Sequence, residues 1–550
     1  MLAEDQALPA QPIAPVFETS RLKALVRREW VVLLLLTVWT SFILFWRLTD
    51  PPKYIYDEVY HAFTGYLMQQ NDPAVYEWWQ SAQSLPNAIE GTQYEWTHPP
   101  LGKLIIGGSI KIFGNNSLGW RFSNALFGVI CVLLMYAFVR ALFRDRWLAT
   151  LAASILTVEG LMFAESRIGT NDIFQLAFLL TAYLCFAFVL RRPARQTIGL
   201  LFLTGLFLGL ALGTKWPAIY SIVLLGGIAL IRGVWPARRV HLAVTAHGQP
   251  LTVDDPLAVQ AASLERAGGP EAATRLYSAG QEAEAGAVSV TPAGAQTTAQ
   301  AQPAERWGFL SRLGYLASAA VSMILVPAAL YMASYIQMFL QPHEIPAEYA
   351  QIGPISLGPL KLGPSTLPNS SWWSMFVGEQ WQMWHYHTTL TAGHPYYSKW
   401  WEWLLDIRPV FYYVDRSTEG YVANTYNLGN PLLYWGFPIA IVLSAWLLWR
   451  KRDWRIGFVL GALAINWLPW ALSPRGMFFY HFLPTVPFAV LLVAYCVMWL
   501  RRQPDPKCPR VAGIYVALIF VSFAFFYTQL AAWTVPDWYA DIHYWLPTWQ

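Results

Sequence analysis

Charge is scarce in this chain of 550 residues, with Asp, Glu, Lys and Arg making up 13% of it, against about 25% in soluble domains. The net charge of +4 is small, and no nucleic-acid partner is expected. Cysteine is also rare. Of four cysteines, Cys131, Cys185 and Cys496 lie inside apolar runs and Cys508 sits between Lys507 and Arg510. No pair has metal-site spacing and no disulfide framework is expected, which leaves small buried thiols. The sequence lacks a P-loop, a dinucleotide-binding glycine fingerprint and an HExxH motif, so nucleotide-driven and zincin chemistry have no support. No cleavage site follows the first apolar run, Val31 to Phe45, so it reads as a retained spanning helix rather than a signal peptide. No repeat of solenoid period is present.

What the chain does have is apolar and aromatic. It is 55% hydrophobic, with 29 Trp and 28 Tyr, the composition of a polytopic membrane protein. Runs long enough to span, roughly 17–25 residues, fall at 30–48, 119–139, 147–163, 173–190, 197–213, 216–231, 313–335, 431–449, 456–472, 479–500 and 511–533. The third ends in Glu159 and Gly160, and only Thr214 and Lys215 separate the fifth from the sixth. With a cytoplasmic N-terminus, 25 of the 37 Lys and Arg fall in the tail 1–29 and in cytoplasmic segments at 140–146, 191–196, 232–312, 450–455 and 501–510. That distribution follows the positive-inside rule. Two long Trp- and Tyr-rich loops, 49–118 and 336–430, then lie outside. Leu101 to Phe113, interrupted by Lys103 and Lys111, is too short to span and reads as an interfacial helix. The expected organisation is a tail (1–29), a catalytic membrane module (30–239), a low-complexity cytoplasmic insertion (240–306) and a second membrane module (307–550). The insertion is rich in Ala, Gln, Thr and Glu, too poor in large apolar residues to offset chain entropy.

The chemistry concentrates in the first outer loop. YIYDEVYHAFTGYL, from Tyr54, carries Asp57, Glu58 and His61, and EWTHPPLGKLIIG carries His98 and Lys103. Acidic residues beside a spanning segment are costly to desolvate and point to function. A carboxylate at the water-facing edge is a candidate general base. A helix cap is the bland alternative for Asp57. Asp57 and His61 are four apart, on one helix face, so a divalent cation stays open as a cofactor, although two ligands are a weak signal. The prolines of THPPLGK fix a stiff approach that sets Lys103 at the interface. Arg121, Arg167, Asp172 and Lys215 stand at outer helix ends, where a phosphate leaving group needs cations. Arg167 and Lys215 are the preferred phosphate partners, with Asp172 holding one of them. His394, Lys399 and Arg408 in HPYYSKWWEWLLDIRPVFYY are candidates to complete the phosphate or acceptor site. Arg475 and His481 in SPRGMFFYHF have weaker claims.

Five phrases together resemble the protein O-mannosyltransferases: YDEVYH, THPPLGK with FGNNSLGWRFSNALFG, ESRIGTNDIF, LGLALGTKW, and HPYYSKWWEW with RPVFYY. They span residues 54 to 413 in the family's order. The resemblance implies an all-α polytopic type C glycosyltransferase fold of about eleven transmembrane helices, with interfacial helices in the outer loops. It implies inverting transfer of mannose from a polyprenyl-phosphate carrier to Ser or Thr of a translocated secreted or membrane protein. Asp57 matches the family's catalytic acid, Glu58 its neighbour, and Arg121 an active-site position. The fourth outer loop is too short for the β-trefoil MIR domain, as in prokaryotic members, which implies a plasma-membrane enzyme with an extracytoplasmic active site. A translocon or a homo- or heterodimeric partner fits the same picture. The rival readings are glycosylation of a lipid or cell-wall polymer, and a transporter. Against the transporter stand the lack of paired inverted repeats and the few mid-helix charges.

Overall fold

A computed structural model describes residues 28–80, 92–234, 308–357, 360–368, 372–390 and 393–550. The low-complexity segment 240–306 and residues 1–27 of the tail lie outside the described residues. The chain divides into two compact units, Met1–Ile228 with Ser318–Gln550, and Ala229–Ala317. The described part of the second unit is the end of a helix that runs to Val234 and the start of one that begins at Phe309.

Each apolar run expected to span is helical. Among the described residues seven helices are long and apolar enough to cross a membrane, and Glu29–Phe45, Ile198–Leu212 and Ala218–Val234 are shorter apolar helices. We label α1 Glu29–Phe45, α2 Glu58–Gln69, α3 Leu101–Phe113, α4 Ser117–Phe143, α5 Arg146–Thr157, α6 Gly160–Glu165, α7 Asp172–Arg191 and α8 Ile198–Leu212. The run 147–163 is the exception to an unbroken span, because it divides into α5 and α6. The Glu159 carboxylate accepts from the backbone N–H groups of Leu161 and Met162, at 2.9 and 2.6 Å, and so starts a new helix. Gly160 then packs so tightly that a Cβ there would come within 2.1 Å of the Leu428 carbonyl oxygen. The ends of α4 follow from local chemistry too. Asn116 caps its start, accepting from Leu118 and Gly119 at 3.0 and 3.1 Å, and Arg144 closes it in a left-handed conformation, φ 58°.

The outer segments frame the site. Helix α3 occupies the expected range and, with 13 residues, is too short to span. It crosses α2 at two glycines: a Cβ on Gly107 would lie 2.4 Å from the Gly65 carbonyl oxygen, and one on Gly65 would lie 2.7 Å from that of Lys103. The second outer loop contributes a helix, Trp372–Thr389, but also strands, so helices alone do not describe it. β1 (Val410–Asp415), β2 (Tyr421–Asn427) and β3 (Thr534–Pro536) form an antiparallel sheet with β2 in the centre. Val410 pairs with Asn427, and Tyr421 with Pro536. Aromatic and β-branched residues after Pro409 favour this strand, and Tyr412 stacks on Tyr56 at 4.5 Å, beside Asp57.

The glycine crossing should be intolerant of even one methyl group. Gly107→Ala is expected to cost about 1–3 kcal/mol through backbone displacement, read as a lower denaturation midpoint of the detergent-solubilised protein. Gly108→Ala, where a Cβ meets nothing within 4 Å, should leave it unchanged.

Candidate active site

Asp57 stands immediately before α2, yet its side chain makes no capping hydrogen bond. The helix-cap reading therefore gives way. Tyr56 turns the chain into this position with φ 44°, a left-handed conformation that a bulky residue adopts only at a cost of about 1–3 kcal/mol. Burial raises the Asp57 carboxyl to about 7, Lys215 lowers it, Asp172 and Glu95 raise it further, and Arg475 lowers it. Part of its surface remains open.

Its neighbour is built differently. Glu58 is fully buried and takes Arg121 bidentately, from Nε to Oε1 at 2.7 Å and from Nη2 to Oε2 at 2.8 Å. The same carboxylate accepts from the backbone N–H of Ile55 and of Gly169, each at 2.9 Å. Arg121 spends its remaining donors on the carbonyls of Leu48, Pro51 and Lys53, at 3.2, 3.0 and 2.9 Å. All five guanidinium N–H groups are then used. Every face of the Glu58 carboxylate, expected from the sequence at the catalytic position, is thus engaged by the scaffold, next to Asp57 in the chain. Arg121 is likewise saturated by groups of the chain itself.

Two more expected phosphate contacts are occupied elsewhere. Arg167 donates to the carbonyls of Leu44, Trp46 and Arg47 at 2.5, 2.8 and 3.0 Å, closing the end of α1. Lys103 is 1% exposed and gives its three N–H groups to the Glu95 carboxylate (2.7 Å), the Glu95 carbonyl (2.5 Å) and the His98 carbonyl (2.8 Å). Burial would push the Glu95 carboxyl up, but Lys103, His61 and the Thr97 hydroxyl hold it below its usual range. His61 Nδ1 lies 3.7 Å from that carboxylate. Among the described residues no group of three His, Cys, Asp or Glu could hold a metal ion.

The open space is a cavity of about 690 Å³. Its walls include Trp216, Tyr220, Trp470 and Leu472, and its polar end carries Lys215, Arg475, His98, His387 and His481. Asp172 grips Lys215 at 2.8 and 2.9 Å, as the sequence suggested, and the ammonium lies 5.0 Å from the centre of the Tyr480 ring. Arg475 has no carboxylate partner among the described residues. It donates to His387 Nδ1, and to His481 Nε2 at 3.3 Å. His387 Nε2 donates in turn to the Thr97 carbonyl at 2.9 Å, which fixes a neutral tautomer able to accept from Arg475. Burial, reinforced by Arg475, lowers the His387 imidazole to about 4. Burial also lowers His61 to about 4 and takes His98 well down, with Lys215 its next cause. The three rings stack in the order His61, His98, His387, with centroids 5.8 and 5.3 Å apart.

Of the residues singled out in the sequence, Lys215 and His98 line the cavity, Asp172 orients Lys215, and His61 stands behind His98. Lys399 lines a neighbouring hollow of about 430 Å³ that shares Trp470, Ser473 and Arg475. His394 is exposed, its ring edge-to-face with Phe478 at 5.0 Å, and Arg408 is half-buried before β1. Neither lines the cavity. The sequence undervalued Arg475 and His481 and passed over Glu95 and His387. Glu95 had a usable signal, an acid two residues before THPPLGK.

Two family models match the chain. Residues 34–244 match "Dolichyl-phosphate-mannose-protein mannosyltransferase", and residues 372–549 match the "C-terminal four TMM region of protein-O-mannosyltransferase". A polyprenol-phosphate-mannose–protein mannosyltransferase of Mycobacterium tuberculosis is 26% identical over 100% of this chain and 98% of its own length. Its counterpart in Mycolicibacterium smegmatis is 26% identical over 82% of each. The protein O-mannosyltransferase Pmt1-Pmt2 complex of Saccharomyces cerevisiae, solved with its sugar donor, superposes with a TM-score of 0.66 at 13% identity, covering 97% of this chain and 94% of that one.

The clamp and the cavity cation should respond differently to loss of charge. Arg121→Met strands the buried Glu58 and should cost about 3–5 kcal/mol. Arg475→Met leaves no carboxylate uncompensated and should cost under about 2 kcal/mol. Denaturant unfolding in detergent measures both, and equal losses would refute the distinction.

Proposed function

We infer the reaction from one premise, that the chain belongs to the protein O-mannosyltransferase family. It is a membrane glycosyltransferase of the type C fold. It transfers mannose from a polyprenyl-phosphate carrier to Ser or Thr hydroxyls of a protein acceptor. The outer loops 49–118 and 336–430 form the extracytoplasmic face, where a translocated chain arrives.

The observation that carries the site assignment is Arg475, a cation facing a cavity in the company of neutral imidazoles instead of a carboxylate. An uncompensated cation in a poorly solvated site favours an anion strongly. The donor phosphate supplies it, between Arg475 and Lys215, while the apolar walls receive the first part of the lipid. The acceptor oxygen attacks the anomeric carbon from the face opposite the phosphate. A new carbon–oxygen bond forms, the bond to the phosphate oxygen breaks, and its electron pair leaves with the phosphate. Asp57 takes the hydroxyl proton. Lys215 and Arg475 stabilise the charge that grows on the leaving group, where preorganised electrostatics contribute most. The inverted configuration at the sugar follows from that single displacement.

Removing the base should cost about 10²–10⁴-fold in turnover. Asp57→Asn is expected to lose that much mannosyl transfer to a Ser/Thr peptide while retaining donor binding, and near-normal turnover would remove Asp57 from this role. Label from the donor appearing in lipid instead of peptide would refute the acceptor class.

A base must be ionised to accept a proton, so the Asp57 value of about 7 sets the direction of the pH dependence. Turnover should rise as pH increases through about 7 and level off above it. Lys215 is the principal cation lowering that carboxyl. Lys215→Met should therefore move the limb to higher pH, besides cutting turnover by about 10²–10³-fold. A limb that stays in place in that variant would show that another group titrates.

A further inference from the structure

Asp57 has two neighbours in the chain, and the Arg121 clamp accounts for only one of them. Glu58, after it, is tied to Arg121 and to the Gly169 N–H. Tyr56, before it, has a left-handed backbone, φ 44°. A bulky residue keeps that conformation only where its surroundings over-determine it. Those surroundings are aromatic. The Tyr56 ring stacks on Tyr412, with centroids 4.5 Å apart and planes 24° from parallel, and meets Tyr480 edge-to-face at 6.3 Å. Tyr480 in turn lies against the Lys215 ammonium, 5.0 Å from the ring centre.

Tyr412 reaches this place through an irregularity in β1. Phe411 pairs with Tyr426 and Tyr413 with Thr425, so Tyr412 is the extra residue of a β-bulge. A bulge leaves one residue unpaired and re-aims its side chain. Tyr412 is 4% exposed, whereas Phe411 and Tyr413 on either side are half-buried. Its hydroxyl is fixed as well. It donates to the Glu165 carboxylate and accepts from Asn427 Nδ2, which also donates to that carboxylate at 2.8 Å. The Thr170 hydroxyl donates to the other Glu165 oxygen at 3.0 Å. Three neutral donors thus orient a buried carboxylate, and the carboxylate orients the ring.

Neither Glu165 nor Tyr412 lines the cavity, and the reaction as written uses neither. Yet Glu165 opens the segment that supplies Gly169 to Glu58 and Asp172 to Lys215. One short stretch therefore reaches Asp57 from both sides, through Glu58 after it and through Tyr412 and Tyr56 before it. We propose that Tyr412, oriented by Glu165, is a positioning residue for the base: its ring holds Tyr56 in the left-handed conformation that fixes the Asp57 carboxylate. The inference rests on Asp57 being the base, and it gives the second outer loop a part in the chemistry without a contact to substrate.

The test compares Tyr412→Leu, Tyr412→Phe and Tyr56→Gly in the full chain. Glycine adopts φ > 0 freely, so Tyr56→Gly removes the stack without straining the turn. Burial is the main cause that raises Asp57; Lys215 and Arg475 lower it, and Asp172 and Glu95 raise it. The phenols of Tyr56, Tyr60 and Tyr480 are its other titratable neighbours. Infrared titration follows the Asp57 carboxyl as the band that Asp57→Asn removes, and needs no turnover. Its midpoint, about 7 in the wild type, should fall toward about 4 in Tyr412→Leu and Tyr56→Gly as water enters. In Tyr412→Phe, which keeps the ring, it should stay in place. Mannosyl transfer should drop about 10²-fold in the first two variants with donor KM unchanged, its pH limb moving down with the midpoint. Tyr412→Phe should retain transfer to within about tenfold, and the double variant should be no slower than the worse single one. An unmoved midpoint in Tyr412→Leu and Tyr56→Gly, equal losses in Tyr412→Leu and Tyr412→Phe, or losses that multiply in the double variant would each overturn the positioning role. A midpoint that falls as stated in a chain that transfers no mannose would uphold it and sink the transferase reading instead.

Discussion

A carboxylate sealed from water by protein must have its charge answered bond for bond, and Glu58 meets that constraint through Arg121. The pair is worth less as an attraction than as a requirement: desolvating both ions costs several kcal/mol each, and only close, saturated geometry repays it. That requirement brings together the chain at Leu48, Pro51 and Lys53, the start of α2, the first turns of α4 at Arg121, and Gly169 after α6. Asp57 is covalently next to the clamp. Its position is inherited from Glu58, which is why a residue with no capping bond of its own can still be fixed in space.

The same constraint sorts the cations of this region by what answers them. Arg121 is answered by a carboxylate and three carbonyls, Arg167 by the carbonyls that end α1, and Lys103 by Glu95 and two carbonyls. These charges are saturated and hold the scaffold. Lys215 has a single carboxylate and a face toward the cavity, and Arg475 has two imidazoles. Unsaturated cations gather where the space is open. The histidines contribute by remaining neutral: burial first, and the neighbouring cations second, hold His98 and His387 below their usual range. They support Arg475 without adding to its charge, and they leave room for exactly the kind of ligand that cations attract, an anion.

Much of the bundle was legible because its signal is local. Eleven apolar runs gave eleven helical regions, and α3 occupies the range that the spacing of Lys103 and Lys111 implied. The break at Val158 was not legible as a break, because Glu159 reads as a boundary charge until its carboxylate is seen capping α6 and Gly160 is seen against Leu428. The site was legible by residue type and much less by role. Asp57, Lys215 and Asp172 stand where charge and position suggested. Arg167, Lys103 and Arg121 carry the same charge at similar boundaries, yet what separates them is the number of carbonyls each meets, a property of tertiary packing. Arg475 was undervalued for the converse reason. Nothing beside it in SPRGMFFYHF indicates that His387, from a helix almost ninety residues away, completes its surroundings.

In the proposed reaction, Lys215 joins the two halves of the chemistry. Burial alone would leave Asp57 protonated at neutral pH, and a protonated acid cannot accept the hydroxyl proton. The ammonium opposes burial and brings the carboxyl to about 7, where it is substantially ionised yet still basic, the balance that general base catalysis requires. In the proposed reaction, the ammonium that stabilises the departing phosphate is also the one that favours the ionised form of Asp57 beforehand. Asp172 sets the strength of both effects, since it draws off part of the charge of Lys215 while fixing its direction. A free lysine would neutralise Asp57 too strongly and leave a weak base, whereas a fully saturated one, like Lys103, would do neither task. In the proposed reaction, the carboxylate on Lys215 therefore belongs to the catalytic balance as much as to the fold.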